Sequence, residues 1–244
     1  MRVIVILGLW FAIASVQAAN IRVASAANFY PTLNKIKQLF EESTGHKVTI
    51  IRGSTGKLYA QIMHGAPYDI FLSADSDRAE KLVTQGKAYN DKAMVYAIGQ
   101  LSVWKPHAES AQQIKQQLTN NDFNKLAVAN PKTAPYGKAA IETLKNMGLY
   151  ERLKTKLVYG ENIAQTLQFV QSGAADIGFV ARSHMINNVN EAEYWNIKAD
   201  QHQAIQQKIL VLKNSNNLKA SQAFVDFMQT AQIKKLIQND GYQL

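Results

Sequence analysis

The chain has 244 residues, a formal charge of +9 at pH 7 and no cysteine. The missing thiols exclude a disulfide framework, a thiolate metal site, a cysteine nucleophile and a lipid anchor on a processed N-terminal cysteine. The length allows one large domain or two of about 100 residues, each with a core that stands without crosslinks. The lysines are scattered, and no arginine stripe with interleaved aromatics occurs. The charge therefore argues for solubility and mild steering of anions rather than for a nucleic-acid partner.

Arg2 precedes an apolar run over residues 3–14, and Val16, Gln17 and Ala18 place small residues where a signal peptidase reads. This predicts a secretory signal over residues 1–18, cleaved after Ala18 or Ala19. As a membrane span the run is short, since a bilayer needs roughly 20 apolar residues.

Ile21, Arg22, Val23 and Ala24 alternate as a first strand. Small residues follow (Ser25, Ala26, Ala27, Asn28), and Pro31 opens a helix carried by Leu33, Ile36, Leu39 and Phe40 at helical spacing. Gly45 ends it, and residues 47–51 form the second strand. Gly53, Ser54, Thr55 and Gly56 then read as a tight turn into a helix that starts at Lys57. A turn of this kind aims unpaired N–H groups and a positive dipole end at one point, where an anion is the natural guest. A plain N-cap is the other reading of the same residues.

The order β-α-β-α predicts a parallel sheet with helices on its faces, and ligands beyond the carboxyl ends of its strands. Both donor-rich turns, at 25–28 and 53–56, fall at that edge. Residues 69–73 are a third strand, and the helix after Asp75 runs to Leu82 and Val83. A strand-like run spans 93–104, interrupted by Gly99.

The strand-turn-helix pattern returns at 126–129, the turn 130–137 and the helix bearing Ala140, Leu144 and Met147. It recurs at 157–159, with a helix over 165–170, and a buried strand covers 175–180. Residues 187–207 are polar and weakly patterned. Residues 208–212 read as a strand able to pair with 101–104, and amphipathic helices close the chain. This arrangement predicts two α/β lobes. Residues 19–100 with 207–244 form the first, 101–206 form the second, and two joining segments act as a hinge.

Other chemistry is thinly supported. Ser54 and Lys57 fit S-x-x-K, the acylating pattern of penicillin-recognising serine enzymes, but the companion S-D-N and K-T-G triads are missing. A serine acyl-transfer enzyme is therefore the alternative from a different class. The five histidines make no H-x-x-x-H or H-E-x-x-H pattern, and most read as surface residues. Asp69 and Asp75 flank a strand and read as helix caps before an acid-base pair. Arg52 and Lys57 either pair with an anion or face solvent.

Asn28, the 53–56 turn, the string Gly65-Ala66-Pro67-Tyr68-Asp69-Ile70-Phe71-Leu72-Ser73-Ala74-Asp75, the 134–137 segment Ala-Pro-Tyr-Gly and residues 172–180 together resemble the periplasmic molybdate-binding proteins of ABC transporters. The resemblance covers the mature chain. It implies a two-lobed, type II periplasmic binding fold, each lobe a mixed, mostly parallel sheet flanked by helices, closing over a tetrahedral dianion. It implies a receptor for molybdate and tungstate rather than an enzyme, without cofactor, periplasmic and monomeric. Its partner would be an inner-membrane permease. A receptor for sulfate or another oxyanion is the alternative among binding proteins.

Oxyanion contacts carry over to Asn28 (side chain and backbone N–H), Thr55 (hydroxyl and N–H), and the backbone N–H groups of Tyr136 and Ile163. Ser25, Ala27 and Ser54 sit beside them. One branch of the family has a tyrosine donor where this chain has Ala181, so the chain resembles the other branch.

Overall fold

The structure, a computed structural model, describes residues 18–244. The signal segment expected over 1–18 lies outside them but for Ala18.

In chain order, β1 (Asn20–Ala26) leads through a short 3-10 turn (Ala27–Phe29) into α1 (Tyr30–Thr44), and β2 (Lys47–Gly53) leads into α2 (Thr55–Met63). Then come β3 (Ile70–Ser73), α3 (Ser76–Thr84) and β4 (Met94–Gly99). The second set is β5 (Leu101–Trp104), α4 (Ala111–Asn120), β6 (Leu126–Ala129), α5 (Pro135–Asn146), α6 (Tyr150–Leu153), β7 (Leu157–Gly160), α7 (Ile163–Gln171), β8 (Ile177–Ala181), α8 (Arg182–Met185) and β9 (Tyr194–Asn196). The chain then adds β10 (Ile205–Val211), α9 (Leu218–Met228) and α10 (Ala231–Asn239).

Two five-stranded sheets result, ordered β2-β1-β3-β10-β4 and β7-β6-β8-β5-β9. In each, three neighbouring strands run parallel, a fourth is reversed and a fifth is antiparallel to the fourth. The central parallel strands β3, β6 and β8 are short runs of buried residues, mostly apolar. All four residues of β3, β5 and β6 are buried, as such sheets require.

Local signals explain the elements. Pro31 lies in the first turn of α1, where its missing N–H costs nothing, and Gly45 closes the helix at φ +73°, its N–H donating to the Glu41 carbonyl. The apolar stripe Leu33, Ile36 and Phe40 packs into the first lobe's core with Phe224 and Met228 from α9. Asp75 caps α3, its carboxylate accepting from the Arg78 N–H at 2.9 Å.

The 93–104 run is two strands in different sheets. It breaks at Gln100, just after Gly99, where a Cβ would stand 2.2 Å from the Tyr136 hydroxyl oxygen. This corrects the expected partner of residues 208–212. β10 lies antiparallel to β3 and β4, whereas β5 pairs with β8 and β9. The polar 187–207 segment supplies the edge strand β9 and the start of β10.

Candidate functional site

Four strand-to-helix connections meet between the sheets. β1 runs into the turn bearing Ala27 and Asn28, and β2 into Thr55 at the first position of α2. β6 leads to Tyr136 in the first turn of α5, and β7 to Ile163 at the first position of α7. All four connections leave the carboxyl ends of parallel strands, two from each sheet, where backbone N–H groups gather.

Asn28, Thr55, Tyr136, Ile163, Ser54 and Ala27 are all buried, none more than 4 % exposed. Ala27, Tyr136 and Ile163 share one apolar cluster that spans both lobes, and the Ala27–Phe29 turn packs on α7. The structure thus brings these residues together.

Their backbones carry the telling feature. Among the described residues, the N–H groups of Ala27, Asn28, Thr55, Tyr136 and Ile163 have no protein acceptor. The Ser54 hydroxyl is buried without a partner as well. Helix starts leave such N–H groups unpaired, and buried ones are nearly always satisfied, so five of them on buried residues at one junction suit an acceptor from outside the chain. The Thr55 hydroxyl accepts from the Ala74 N–H at 3.2 Å, which leaves its own hydrogen to donate. Asn162 caps α7 through Ala164 and Gln165 N–H, leaving Ile163 N–H free.

Asn28 differs from its expected part in one respect. Its Nδ2 donates to Gln207 Oε1 at 2.8 Å and to the Tyr242 hydroxyl at 3.2 Å, so in this orientation both side-chain hydrogens face the protein. The Asn28 carbonyl accepts from Tyr242 at 2.9 Å and from Ser183 at 3.4 Å. Burial raises the Tyr96, Tyr136 and Tyr242 phenols above their ordinary value, so all three stay protonated donors.

The neighbouring cations are engaged elsewhere. Lys57 pairs with Glu161 of the other lobe at 2.9 Å, Arg52 stacks 4.8 Å over the Tyr30 ring, and Arg78 pairs with Asp75 at 2.5 Å. Lys57 therefore does not reach Ser54 as an S-x-x-K base would. Asp69 holds the first lobe together: its carboxylate accepts from the Arg22 N–H at 2.7 Å and from the Ser215 hydroxyl at 2.5 Å. It does not cap a helix. Among the described residues, no group of three His, Asp or Glu side chains is placed to hold a metal ion.

The lobes touch around this junction. The Gly56 N–H donates to the Thr133 carbonyl at 2.8 Å, and Arg78 Nη2 to the Lys132 carbonyl at 2.9 Å. With the Lys57–Glu161 pair, these contacts describe a closed arrangement.

Sequence reasoning missed Gln207, Tyr96, Tyr242, Ser183 and His184. His184 is the one buried histidine of the five, with its Nδ1 unpartnered, whereas the other four are half-buried or exposed as expected. A signal existed for Gln207: Ile205, Gln207 and Ile209 alternate on one strand, and a glutamine at an apolar position asks for a buried partner.

A family model for the bacterial extracellular solute-binding proteins matches residues 21–243. The chain belongs to that family. Its members are binding proteins, and this chain is a binding protein rather than an enzyme. It is 39 % identical over 245 residues to the molybdate-binding protein ModA of Azotobacter vinelandii, covering 100 % of this chain and 97 % of the relative. The solved periplasmic molybdate-binding protein of Azotobacter vinelandii superposes with a TM-score of 0.87 at 34 % identity, over 92 % of this chain and 99 % of that one. The substrate-binding domain of a putative molybdenum ABC transporter from Clostridium difficile superposes at 0.68 with 28 % identity, over 93 % and 99 %. The two-lobed periplasmic binding fold is thus the fold of this solute-binding protein. No helix among the described residues is long and apolar enough to cross a membrane.

Proposed function

We propose that this solute-binding protein is a periplasmic receptor for molybdate that delivers the ion to an inner-membrane ABC permease. The observation that carries this is the set of buried N–H donors without acceptors at the junction of the two lobes. The likeness to a molybdate-binding relative over the full chain supports the choice of ion. The Clostridium difficile likeness supports the transporter partner.

The chemistry suits a fully deprotonated dianion. Such an ion accepts hydrogen bonds and donates none, so a pocket of N–H and O–H groups satisfies it. Protonated rivals such as phosphate bring an O–H that finds no acceptor. Each hydrogen bond to a charged group contributes roughly 1.5–3 kcal/mol. About six of them offset lobe closure and leave micromolar to nanomolar binding. Asn28, Thr55, Tyr136 and Ile163 are the assigned contacts, with Ser54 and Ala27 beside them. Tungstate, nearly equal to molybdate in size, binds alike, while the smaller sulfate is rejected by the pocket radius.

The same proposal takes residues 1–18 as a cleaved signal, 19–100 with 207–244 as one lobe and 101–206 as the other, and the mature protein as a monomer. Strand pairing supports the division except at residues 205 and 206, because β4 and the whole of β10 pair in one sheet and β5 and β9 in the other. Calorimetry with molybdate, tungstate, sulfate and phosphate tests it. Tight one-to-one binding of the first two alone is expected. Failure to bind either of them, or tighter binding of sulfate, would overturn it.

A further inference from the structure

Gln207 is fully buried on β10, where the pairing with β4 shifts register between Gln207 and Lys208. A register shift re-aims a side chain. Here it turns the carboxamide onto groups from both lobes. Oε1 accepts from Asn28 Nδ2 at 2.8 Å and from the Tyr96 hydroxyl at 2.9 Å, and Nε2 donates to the Tyr136 hydroxyl at 3.5 Å. Gln207 thus touches the side chains of two of the assigned anion contacts, one in each lobe.

In this orientation Asn28 spends both amide hydrogens on Gln207 and Tyr242, and no protein donor meets its Oδ1. A carbonyl oxygen repels a dianion, whereas an NH2 group donates to it. Carboxamide oxygen and nitrogen are nearly isosteric, so both amides can turn over with every heavy atom kept in place. Gln207 Nε2 then donates to Asn28 Oδ1 and to Tyr96, Gln207 Oε1 accepts from the protonated Tyr136 hydroxyl, and Tyr242 turns its hydrogen from the Asn28 carbonyl to Asn28 Oδ1, leaving the carbonyl to Ser183. The Asn28 NH2 takes the direction its oxygen had.

We infer that Gln207 is a positioning residue whose carboxamide sets which end of the Asn28 amide meets the anion. This rests on Asn28 lining the anion site. Glutamine serves both orientations, because it carries one donor end and one acceptor end. A glutamate of the same shape accepts only. It pins Asn28 in the inward orientation and sets a negative charge beside the site.

The test is Gln207→Glu in the full mature chain, titrated with molybdate by calorimetry at pH 8.5 and pH 5.5 beside the parent. The groups facing residue 207 are the phenols of Tyr96, Tyr136 and Tyr242 and the Asn28 amide. None of them titrates in this window, so any change in the variant relative to the parent reports the introduced carboxyl. Binding at least about 100-fold weaker than the parent at pH 8.5 is expected, with most of the loss recovered at pH 5.5, where a buried carboxyl is protonated and has regained a donor. A loss from misfolding would not recover in this way. Parent affinity at pH 8.5, or an equal loss at both pH values, would overturn the inference.

Should Gln207→Glu fail to fold, Tyr96→Phe decides. It removes the hydroxyl that holds Gln207 and leaves the ring packing. Binding weaker by about threefold or more supports the positioning role, and unchanged binding overturns it. Thr55→Ala separates the two layers of inference. If it binds molybdate as the parent does, the anion-site assignment fails. If it loses affinity while Gln207→Glu does not, only the role of Gln207 fails.

Discussion

Thr55 shows how one small side chain does two jobs. It opens α2 with an unpaired N–H, and its hydroxyl accepts from the Ala74 N–H, so the hydroxyl hydrogen is left to donate. Thr55→Ala removes one hydrogen bond to a charged ligand. Calorimetry is expected to read molybdate binding weaker by about 10–100-fold, the equivalent of roughly 1.5–3 kcal/mol. Thr55→Ser retains most of the affinity. Lys57, two residues on, forms an exposed ion pair with Glu161, and Lys57→Ala changes affinity by less than about threefold at constant ionic strength.

His184 supplies a pH dependence at the same scale. Burial holds its pKa at about 4, below the ordinary 6.5, so the folded protein keeps it neutral. The unfolded chain takes up that proton first as the pH drops. The stability drawn from the neutral ring is therefore fully present above pH 6.5 and is lost as pH falls from there toward 4. Urea melts of the parent should lose on the order of 3 kcal/mol more than His184→Gln across that window. A parallel decline of the two proteins would contradict this.

Residue identity alone hid both His184 and Gln207. Their meaning depends on Asn28, which lies 179 positions from Gln207 in the chain, and local sequence carries no trace of such a partner.

At the scale of elements, the helix starts were the legible part. Gly53, Ser54 and Thr55, and Pro135 before Tyr136, announce turns that end strands and open helices, though α2 opens at Thr55 rather than Lys57 and α5 at Pro135, inside the expected 130–137 turn. Strand partners were not legible, because pairing is non-local. Residues 208–212 carry the same apolar signal whether they lie beside β4 or β5. α4 went unread because its ten residues are mostly polar, with Ile114 and Leu118 as its buried positions.

The caps also set the site. Asn162 spends its side chain on Ala164 and Gln165, which fixes the first turn of α7 and presents the Ile163 N–H. Asn162→Ala should cost about 1 kcal/mol in denaturant melts. It should also weaken molybdate binding, since the frayed turn no longer aims that donor. An unchanged affinity would show that the Ile163 N–H does not contribute.

For the whole molecule, the two sheets repeat one strand pattern, and the chain crosses between them at Gln100 and again between β9 and β10. The two-lobed form was legible from alternating strand and helix signals, whereas the closed contacts were not. Gly56 tests closure without touching the anion donors. A Cβ there would meet the Thr133 Cα and carbonyl oxygen at 3.0 Å, backbone atoms of the other lobe that do not yield cheaply. Gly56→Ala is therefore expected to push this contact apart by a few tenths of an ångström. Calorimetry should read weaker molybdate binding, while the ligand-free melting temperature changes little. Parent affinity would contradict the closed contact.

The central claim is a dianion held by uncharged donors from both lobes. Anomalous diffraction at the molybdenum edge, from crystals grown with stoichiometric molybdate, tests it most directly. The account predicts a single molybdenum peak whose oxygens lie within hydrogen-bond reach of the Asn28, Thr55, Tyr136 and Ile163 N–H groups, with no lysine or arginine in contact. A peak elsewhere, or one held by Lys57 or Arg78, would contradict it.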